Sequence, residues 1–141
     1  MSSYIDTTSQ KIEAREIPDG EGLQMLPRHF GRDMLTVEYA IFAFIRKLAQ
    51  RYAGGYWIYD LSNGGCYMAP RASRGYHIVI EGNGFSGIFD PECAGIVATL
   101  FALSHVLMDH RRFVKLADRF HQLRAFACEH PDGNLILAAT D

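Results

Sequence analysis

The dipeptide Asn63-Gly64 lies between two short runs of aromatic and apolar residues, within residues 54–70, which read GGYWIYDLSNGGCYMAP. Asn-Gly is the preferred pair for a two-residue type I′ turn, because both central positions of that turn need positive φ. The stretch therefore predicts a β-hairpin. A two-residue turn also predicts the register, in which three pairs face each other: Leu61 with Cys66, Tyr59 with Met68, and Trp57 with Pro70.

This register divides the hairpin into two faces, since successive side chains of a strand point to opposite sides. One face is expected to be buried, and it carries Trp57, Tyr59, Leu61, Cys66 and Met68. The other face is mixed and expected to be partly wet, and it carries Tyr56, Ile58, Asp60, Tyr67 and Ala69. Gly64→Val is the change expected to disrupt the unit most, because it forces a β-branched residue into positive φ.

The rest of the chain predicts an α+β fold. Helical spacing of apolar residues predicts three main helices over residues 34–52, 93–108 and 111–129, with a short helical turn near 135–139. Strand-like runs at 76–81 and 85–89 follow the hairpin, so we expect an antiparallel meander of about four strands with the helices packed against it. A short edge strand is expected near residues 12–17, and residues 23–31 are interpreted as a connecting segment.

Length and charge limit the classes of protein. A chain of 141 residues with 48% hydrophobic and 21% charged residues suits one globular domain, which we place at 21–141 after a flexible leader at 1–20. The net charge of −2 supplies neither the basic domain of a phosphate-binding protein nor the dense carboxylates of a DNA mimic. No apolar run reaches the roughly 18 residues of a membrane span, so we expect a cytoplasmic protein without membrane contact.

The sequence contains a glycine pattern typical of dinucleotide sites, and cysteines and histidines of the kind that bind metals, but the context of each favours a structural interpretation. Residues 82–87, GNGFSG, match G-x-G-x-x-G, but they do not open a helix directly, so a hairpin turn is favoured over a dinucleotide site. The three cysteines, Cys66, Cys93 and Cys128, are widely spaced and are expected to be buried free thiols. The six histidines are scattered, and His105 is interpreted as a core residue; a zinc or catalytic cluster would have to be assembled by the fold. We therefore expect no metal and no cofactor.

Several charged residues are candidates for contacts. Arg28 and His29 follow the rigid Pro27 in a predicted loop, where functional groups are often displayed, although Arg28 could equally bond backbone carbonyls. One side of the 111–129 helix could meet a phosphate or an acidic partner, or could simply face solvent; its residues are Arg112, Lys115 and Arg119. Asp141 is either a free polar end or an acidic contact point.

Three segments, in matching order and spacing, resemble the ArdB/KlcA family of antirestriction proteins, with the likeness greatest to its KlcA branch. They are LPRHFG at 26–31, YAGGYWIYDLSNGGCYMAP at 52–70 and AGIVATLFALSH at 94–105. The likeness extends from about residue 25 to residue 141, and LSNGGxYMAP is its most specific part. Cys66 stands where an aromatic residue is expected, which affects packing rather than membership.

The resemblance implies a protein of plasmids and other mobile genetic elements that protects incoming plasmid or phage DNA by inhibiting host type I restriction-modification enzymes. It implies a non-enzymatic, monomeric inhibitor that acts on the host complex, directly or indirectly, without DNA mimicry or sequence-specific DNA binding. The candidate interaction surface consists of Arg28, His29, Tyr56, Trp57, Asn63, Tyr67 and Asp141. Two alternatives stay open: a small hydrolase or modifying enzyme using His29 or Ser62, and a weak DNA-binding module on the 111–119 face.

Overall fold

The computed structural model describes residues 11–49, 54–71, 75–108 and 114–140. Five α-helices lie in these ranges: α1 (Gly22–Phe30), α2 (Met34–Leu48), α3 (Pro91–Leu107), α4 (Leu116–Glu129) and α5 (Gly133–Thr140). The strands are β1 (Ala14–Glu16), β2 (Tyr56–Leu61), β3 (Cys66–Pro70), β4 (Tyr76–Ile80) and β5 (Phe85–Phe89). Short 3-10 turns precede α1 and α2, at Asp19–Glu21 and Gly31–Asp33. The predicted α+β class is confirmed.

The strands form two antiparallel sheets rather than one. The first sheet has the order β1-β2-β3, and the second pairs β4 with β5. The expectation of a single four-stranded meander was therefore wrong, whereas the edge strand expected near residues 12–17 is confirmed as β1. The cause lies in α3, which occupies the side of β3 where a fourth strand would have paired.

The contact between α3 and β3 depends on two small residues of the helix. The hydroxyl of Thr99 accepts a hydrogen bond from the backbone N–H of Met68 at 3.2 Å and donates one to its carbonyl at 3.4 Å. A Cβ on Gly95 would lie 2.3 Å from that carbonyl oxygen and 2.5 Å from the Cα of Ala69, so only glycine fits there. Thr99 thus supplies the partners that a neighbouring strand would otherwise give to β3.

Burial places α3 at the centre of the core. The helix begins where the sequence predicts: the Asp90 carboxylate accepts the backbone N–H of Cys93 at 2.7 Å, and Pro91 takes the first helical position. Most of its residues are buried on every side, as its nearly continuous apolar sequence leads one to expect. Its buried residues include Ile96, Val97, Ala98, Leu100, Ala102, Leu103 and Val106.

The hairpin β2–β3 forms, but its predicted register was wrong by one residue. Tyr56 pairs with Pro70, Ile58 with Met68 and Asp60 with Cys66, and the loop closes between Leu61 and Gly65. The loop therefore has the longer form with one glycine in the left-handed region, and Gly64 has the expected positive φ, at 97°.

The shift places Tyr67 and Ala69 on the same face as Trp57 and Tyr59, whereas Leu61, Cys66 and Met68 are buried as expected. Ile58 is buried and Trp57 is only half-buried, the reverse of the expectation. The extra loop residue leaves the Asn63 side chain free to accept the backbone N–H of Gly65 at 3.1 Å, so this asparagine builds the loop through its side chain.

Both hairpin turns are attached to helices by an asparagine. The Asn63 side chain donates to the carbonyl of Gln122 on α4 at 2.9 Å. Asn83, in the turn between β4 and β5, donates to the carbonyl of Ala139 on α5 at 2.9 Å and accepts the N–H of Phe85 at 3.0 Å. The predicted turn at 82–87 is confirmed, with Gly84 at φ 73°.

The helix boundaries also required corrections. Most of residues 23–31, interpreted as a connecting segment, belong to α1 (Gly22–Phe30), which has Pro27 inside it although proline removes one hydrogen bond of the helix. The helix expected from residue 111 begins at Leu116, because Val114 and Lys115 form a turn before it. The predicted end of α2 near residue 52 was too late, since the helix ends at Leu48.

We predict that Gly95→Ala destabilises the protein by about 2 kcal/mol in urea unfolding followed by circular dichroism. The new methyl group would meet the backbone of β3, and the helix propensity that alanine gains, about 1 kcal/mol, offsets only part of that strain. Gly20→Ala is the matched control, because a Cβ there has no atom within 4 Å. Equal stability of the two variants would contradict the close approach.

Candidate functional site

Helix α1 lies across one face of β2 and brings two predicted site residues to a carboxylate. A guanidinium nitrogen of Arg28 donates to Asp60 Oδ2 at 2.8 Å, and Nε2 of His29 lies 2.5 Å from Asp60 Oδ1. At the other end of α1, a Cβ on Gly22 would lie 3.6 Å from the Ile58 side chain. Arg28 stays 61% exposed, whereas His29 is only 4% exposed.

The buried imidazole of His29 is neutral in the folded protein. Burial lowers its pKa below the ordinary value of 6.5, against the opposing effect of Asp60, while Arg119 and Arg28 lower it further. Nδ1 is buried and finds no hydrogen-bond partner within the described part of the chain. A lone pair there costs less than an unpaired N–H, so the proton lies on Nε2 and is donated to Asp60.

Helix α4 also contacts these residues, through the side chain of Arg119. Nε of Arg119 donates to the backbone carbonyl of His29 at 3.2 Å, and its terminal nitrogen donates to the Gln122 side chain at 3.2 Å. Gln122 also accepts the Asn63 side chain through its carbonyl. We call this set the Asp60 network: Arg28, His29, Asp60, Asn63, Arg119 and Gln122.

The Asp60 network unites four residues that the sequence singled out and two that it did not. Asp60 was placed on a mixed face without a role, and Gln122 was not considered. The spacing of Met25, Leu26, His29 and Phe30, all buried, is helical and could have indicated α1 and the inward direction of His29. Arg119 donates to protein groups of α1 and of its own helix, and its contact with a phosphate or an acidic partner stays a prediction.

The aromatic candidates differ in exposure. Tyr56 is half-buried, and its hydroxyl donates to Glu38 at 2.6 Å. Trp57 is half-buried, with the Arg71 guanidinium 5.4 Å from its ring centre. Tyr67 is 0% exposed, so placing it on an interaction surface was wrong.

Tyr67 has a supporting position instead. Its ring stacks between those of Tyr59 and Phe126, at centre distances of 4.8 Å and 5.8 Å. Burial raises the pKa of its hydroxyl, which stays protonated and donates to Glu92 at 2.9 Å. Tyr67 therefore fixes the hairpin to α3 and α4.

A cavity of about 310 Å³ opens between the start of α1 and the start of β2. Its lining includes two predicted site residues and an ion pair between Arg71 and Asp19. We call it the α1–β2 groove, lined by Asp19, Leu26, Tyr56, Trp57, Ile58 and Arg71. Arg28 does not line this groove: it follows Leu26 by two residues on α1, and its exposed guanidinium contacts Asp60 further along β2.

The remaining candidate residues lie outside the Asp60 network and the α1–β2 groove, or outside the described residues. Lys115 is exposed in the turn before α4, whereas Arg112 and Asp141 lie outside the described residues. His105 is exposed beside Phe44, so its expected core position was wrong. Cys66 and Cys93 are buried free thiols as expected, but Cys128 is exposed because it lies on the outer side of α4.

The arrangement does not support nucleophilic catalysis at the predicted residues. The Ser62 hydroxyl accepts the backbone N–H of Glu13 at 2.9 Å, and neither ring nitrogen of His29 bonds to it. Burial raises the pKa values of the Cys66 and Cys93 thiols, which disfavours a reactive thiolate. The fold does assemble one group of possible metal ligands that spacing did not predict: Cys93, His130 and Asp132.

Comparison with known proteins agrees with the resemblance found in the motifs. Residues 50–141 match the family described as Antirestriction protein. The chain is 39% identical to the antirestriction protein KlcA of Escherichia coli, over 97% of this chain and 100% of the relative. It is 30% identical to the putative antirestriction protein YubI of Escherichia coli strain K12, over 89% of this chain and 93% of the relative.

A solved structure has the same fold. It comes from work on the KlcA and ArdB proteins, described as showing a novel fold and antirestriction activity against type I DNA restriction systems in vivo but not in vitro. The TM-score is 0.83 at 41% sequence identity, covering 94% of this chain and 96% of that one. The chain belongs to the antirestriction protein family. Within the described ranges, none of the helices is both long and apolar enough to cross a membrane.

We predict that His29→Gln flattens the pH dependence of stability below pH 6.5. The unfolded chain binds more protons at this position than the folded protein in that range, so the wild type loses stability as the pH falls. The variant lacks this titration. Urea unfolding from about pH 7.5 to about pH 5 should show the advantage of the wild type shrinking. An advantage that grows as the pH falls would mean that folded His29 is charged.

We also predict that Asn63→Asp destabilises the protein by about 1 kcal/mol or more. The aspartate keeps an oxygen for the Gly65 N–H, but it replaces the amide that donates to Gln122 with a carboxylate facing a carbonyl. Asn63→Ala removes both hydrogen bonds, so its loss of stability in thermal unfolding gives the combined contribution of the two bonds for comparison. A stability for Asn63→Asp equal to that of the wild type would show that attachment to α4 contributes nothing.

Proposed function

We propose that this protein protects DNA from type I restriction systems inside the cell by contacting another protein, and that it neither imitates nor binds DNA sequence-specifically. The proposal rests chiefly on the nearly full-length identity to KlcA together with the shared fold. We assign the activity to a monomer in the bacterial cytoplasm. The domain boundary expected at residue 21 comes too late, because β1 pairs with β2 and Ile17 is buried in the core.

The charge of the chain supports action on protein. Sixteen acidic and fourteen basic residues give a net charge of −2, too little for a mimic of the DNA backbone. Of the three basic residues proposed as phosphate contacts, Arg119 already donates to His29 and Gln122. Both observations favour a protein partner over a nucleic-acid surface.

The behaviour of the relatives supports a partner that is present in cells. KlcA and ArdB are active against type I systems in vivo but not in vitro. A protein that blocked the purified enzyme by itself would be active in both settings. We therefore infer that this chain acts on a state or assembly of the restriction complex that forms in the cell, or acts with a further host factor.

The proposed contact surface consists of the α1–β2 groove and of Arg28, which lies further along the same helix. The groove offers a half-buried tryptophan and tyrosine beside an arginine, which are the residue types that most often dominate binding energy at protein interfaces. Arg28 adds an exposed guanidinium that Asp60 holds in place. His29 and Asn63 belong to the Asp60 network, and Asp141 stays a predicted acidic contact.

The supporting role of His29 favours stoichiometric inhibition over catalysis. A catalytic base must reach the substrate, whereas His29 is buried and its donor nitrogen is occupied by Asp60. We therefore propose that protection rises with the amount of protein rather than being complete at trace levels.

The test is the plating of unmodified phage on bacteria that carry a type I restriction system and express the protein. We predict that the wild type restores plating there, and that Arg28→Glu or Trp57→Ala reduces this recovery by about tenfold or more, because each removes a group of the hot-spot type. Arg46→Glu is the matched control, since Arg46 is an exposed arginine on α2.

Each variant is compared at equal protein level and with its folding checked by circular dichroism. Hosts with a type II system or with no restriction system show whether recovery is specific. Unchanged protection from both Arg28→Glu and Trp57→Ala would remove this surface from the proposal. Failure of the wild type to restore plating would contradict the function itself.

A further inference from the structure

A thiol, an imidazole and carboxylates from distant parts of the chain lie close together where the start of α3, the end of α4 and the start of α5 meet. Single ligand atoms of Cys93, His130 and Asp132 all lie within 4.8 Å of one another. Cys93 Sγ is 3.6 Å from Asp132 Oδ2, although the two residues are 39 positions apart. Glu92 lies outside this group of three, but its Oε1 is 3.7 Å from His130 Nε2, so a movement of its side chain would bring a fourth ligand atom to the site.

We propose that these four residues, the Cys93 cluster, bind one zinc ion that ties the three helices together. Glu92 and Cys93 lie in the first turn of α3, His130 ends α4, and Asp132 directly precedes α5. An ion held by all four would fix the relative positions of the helices, as structural zinc does in small domains. The site is separate from the α1–β2 groove and independent of the proposed function.

The distances suit tetrahedral coordination. Zinc–sulfur bonds of about 2.3 Å and zinc–oxygen or zinc–nitrogen bonds of about 2.0 Å place neighbouring ligand atoms roughly 3.3 to 3.5 Å apart. Two separations approach these values, 3.6 Å between Cys93 Sγ and Asp132 Oδ2 and 3.7 Å between His130 Nε2 and Glu92 Oε1, and the ligand atoms of Cys93, His130 and Asp132 all lie within 4.8 Å of one another. Small side-chain movements would complete the site.

The types of donor favour zinc over the hard cations. Magnesium and calcium take oxygen ligands, whereas a thiol and an imidazole beside carboxylates are typical of zinc and cobalt. The oxygen donors carry the negative charge that a divalent ion needs. Tyr67 donates to Glu92 Oε1 at 2.9 Å, the kind of outer hydrogen bond that orients a metal ligand.

His130 would coordinate through Nε2. Its Nδ1 accepts the backbone N–H of Asp132 at 3.0 Å, so without metal the ring proton lies on Nε2, towards Glu92. Coordination moves that proton to Nδ1 and breaks the bond to Asp132. Binding of zinc therefore changes the tautomer of His130, which ring ¹⁵N chemical shifts report directly.

The experiment titrates Co²⁺, a spectroscopic substitute for zinc, into the purified full-length chain in a non-chelating buffer. The bound ion replaces the proton of the Cys93 thiol, which is released to the buffer, and we expect one equivalent to produce a thiolate-to-cobalt charge-transfer absorption that zinc abolishes by displacement. Cys93→Ser should remove this band, and Cys128→Ser, which changes an exposed free thiol outside the cluster, should keep it. Zinc should also raise the unfolding midpoint of the wild type by about 5 °C or more.

Variants of His130 and Asp132, which are more exposed than Cys93, test the proposal if Cys93→Ser fails to fold. His130→Gln and Asp132→Asn change half-buried and exposed residues, and each should weaken cobalt binding by about tenfold or more. The proposal is overturned if the folded wild type shows no saturable binding of one equivalent. It is equally overturned if the band survives Cys93→Ser and is lost in Cys128→Ser, or if zinc leaves the His130 tautomer unchanged.

Discussion

The close contact of α3 with the free edge of β3 determines how the described part of the chain is arranged. Gly95 lets the helix approach the strand, and Thr99 hydrogen-bonds to both backbone groups of Met68 that a further strand would have used. The edge of β3 is thereby covered, which also protects it from pairing with another chain. Because the helix takes this place, β4 and β5 form a separate sheet.

This arrangement leaves β2 between β1 and β3, with one of its faces available to α1. The Asp60 network connects α1, the hairpin and α4 through an ion pair and through side-chain hydrogen bonds. A buried neutral histidine and a carboxylate held by an exposed arginine are features of a support rather than of a reactive centre. They hold the exposed Arg28 on α1, whereas the α1–β2 groove, with its aromatic and cationic side chains, lies towards the start of β2.

Local sequence signals predicted much of this structure. Asp90-Pro91 located the start of α3, the apolar run predicted its burial, and Asn63-Gly64 predicted a hairpin at the right place. The register failed because Asn63 uses its side chain for the loop and for Gln122, a residue distant in sequence. Segment α1 was missed because Pro27 argues against a helix locally, whereas burial of Leu26, His29 and Phe30 stabilises one.

The sequence also could not predict which distant residues contact one another at the candidate site. Arg28, His29 and Arg119 could be named as candidates, but their shared partner Asp60 depends on how α1 crosses β2. Tyr67 was placed on a surface because a one-residue change of register moves a side chain to the opposite face. The family, in contrast, was readable from three short motifs, and the comparisons with KlcA confirm it.

The proposed function requires the α1–β2 groove to contact a protein in the restricting cell. The most direct measurement places a photo-crosslinking amino acid at position 57 in cells that carry a type I system, with position 46 as the comparison site. The account predicts an adduct with a subunit of the restriction complex from position 57 and none from position 46. Full protection by the labelled protein without any adduct from position 57 would contradict it.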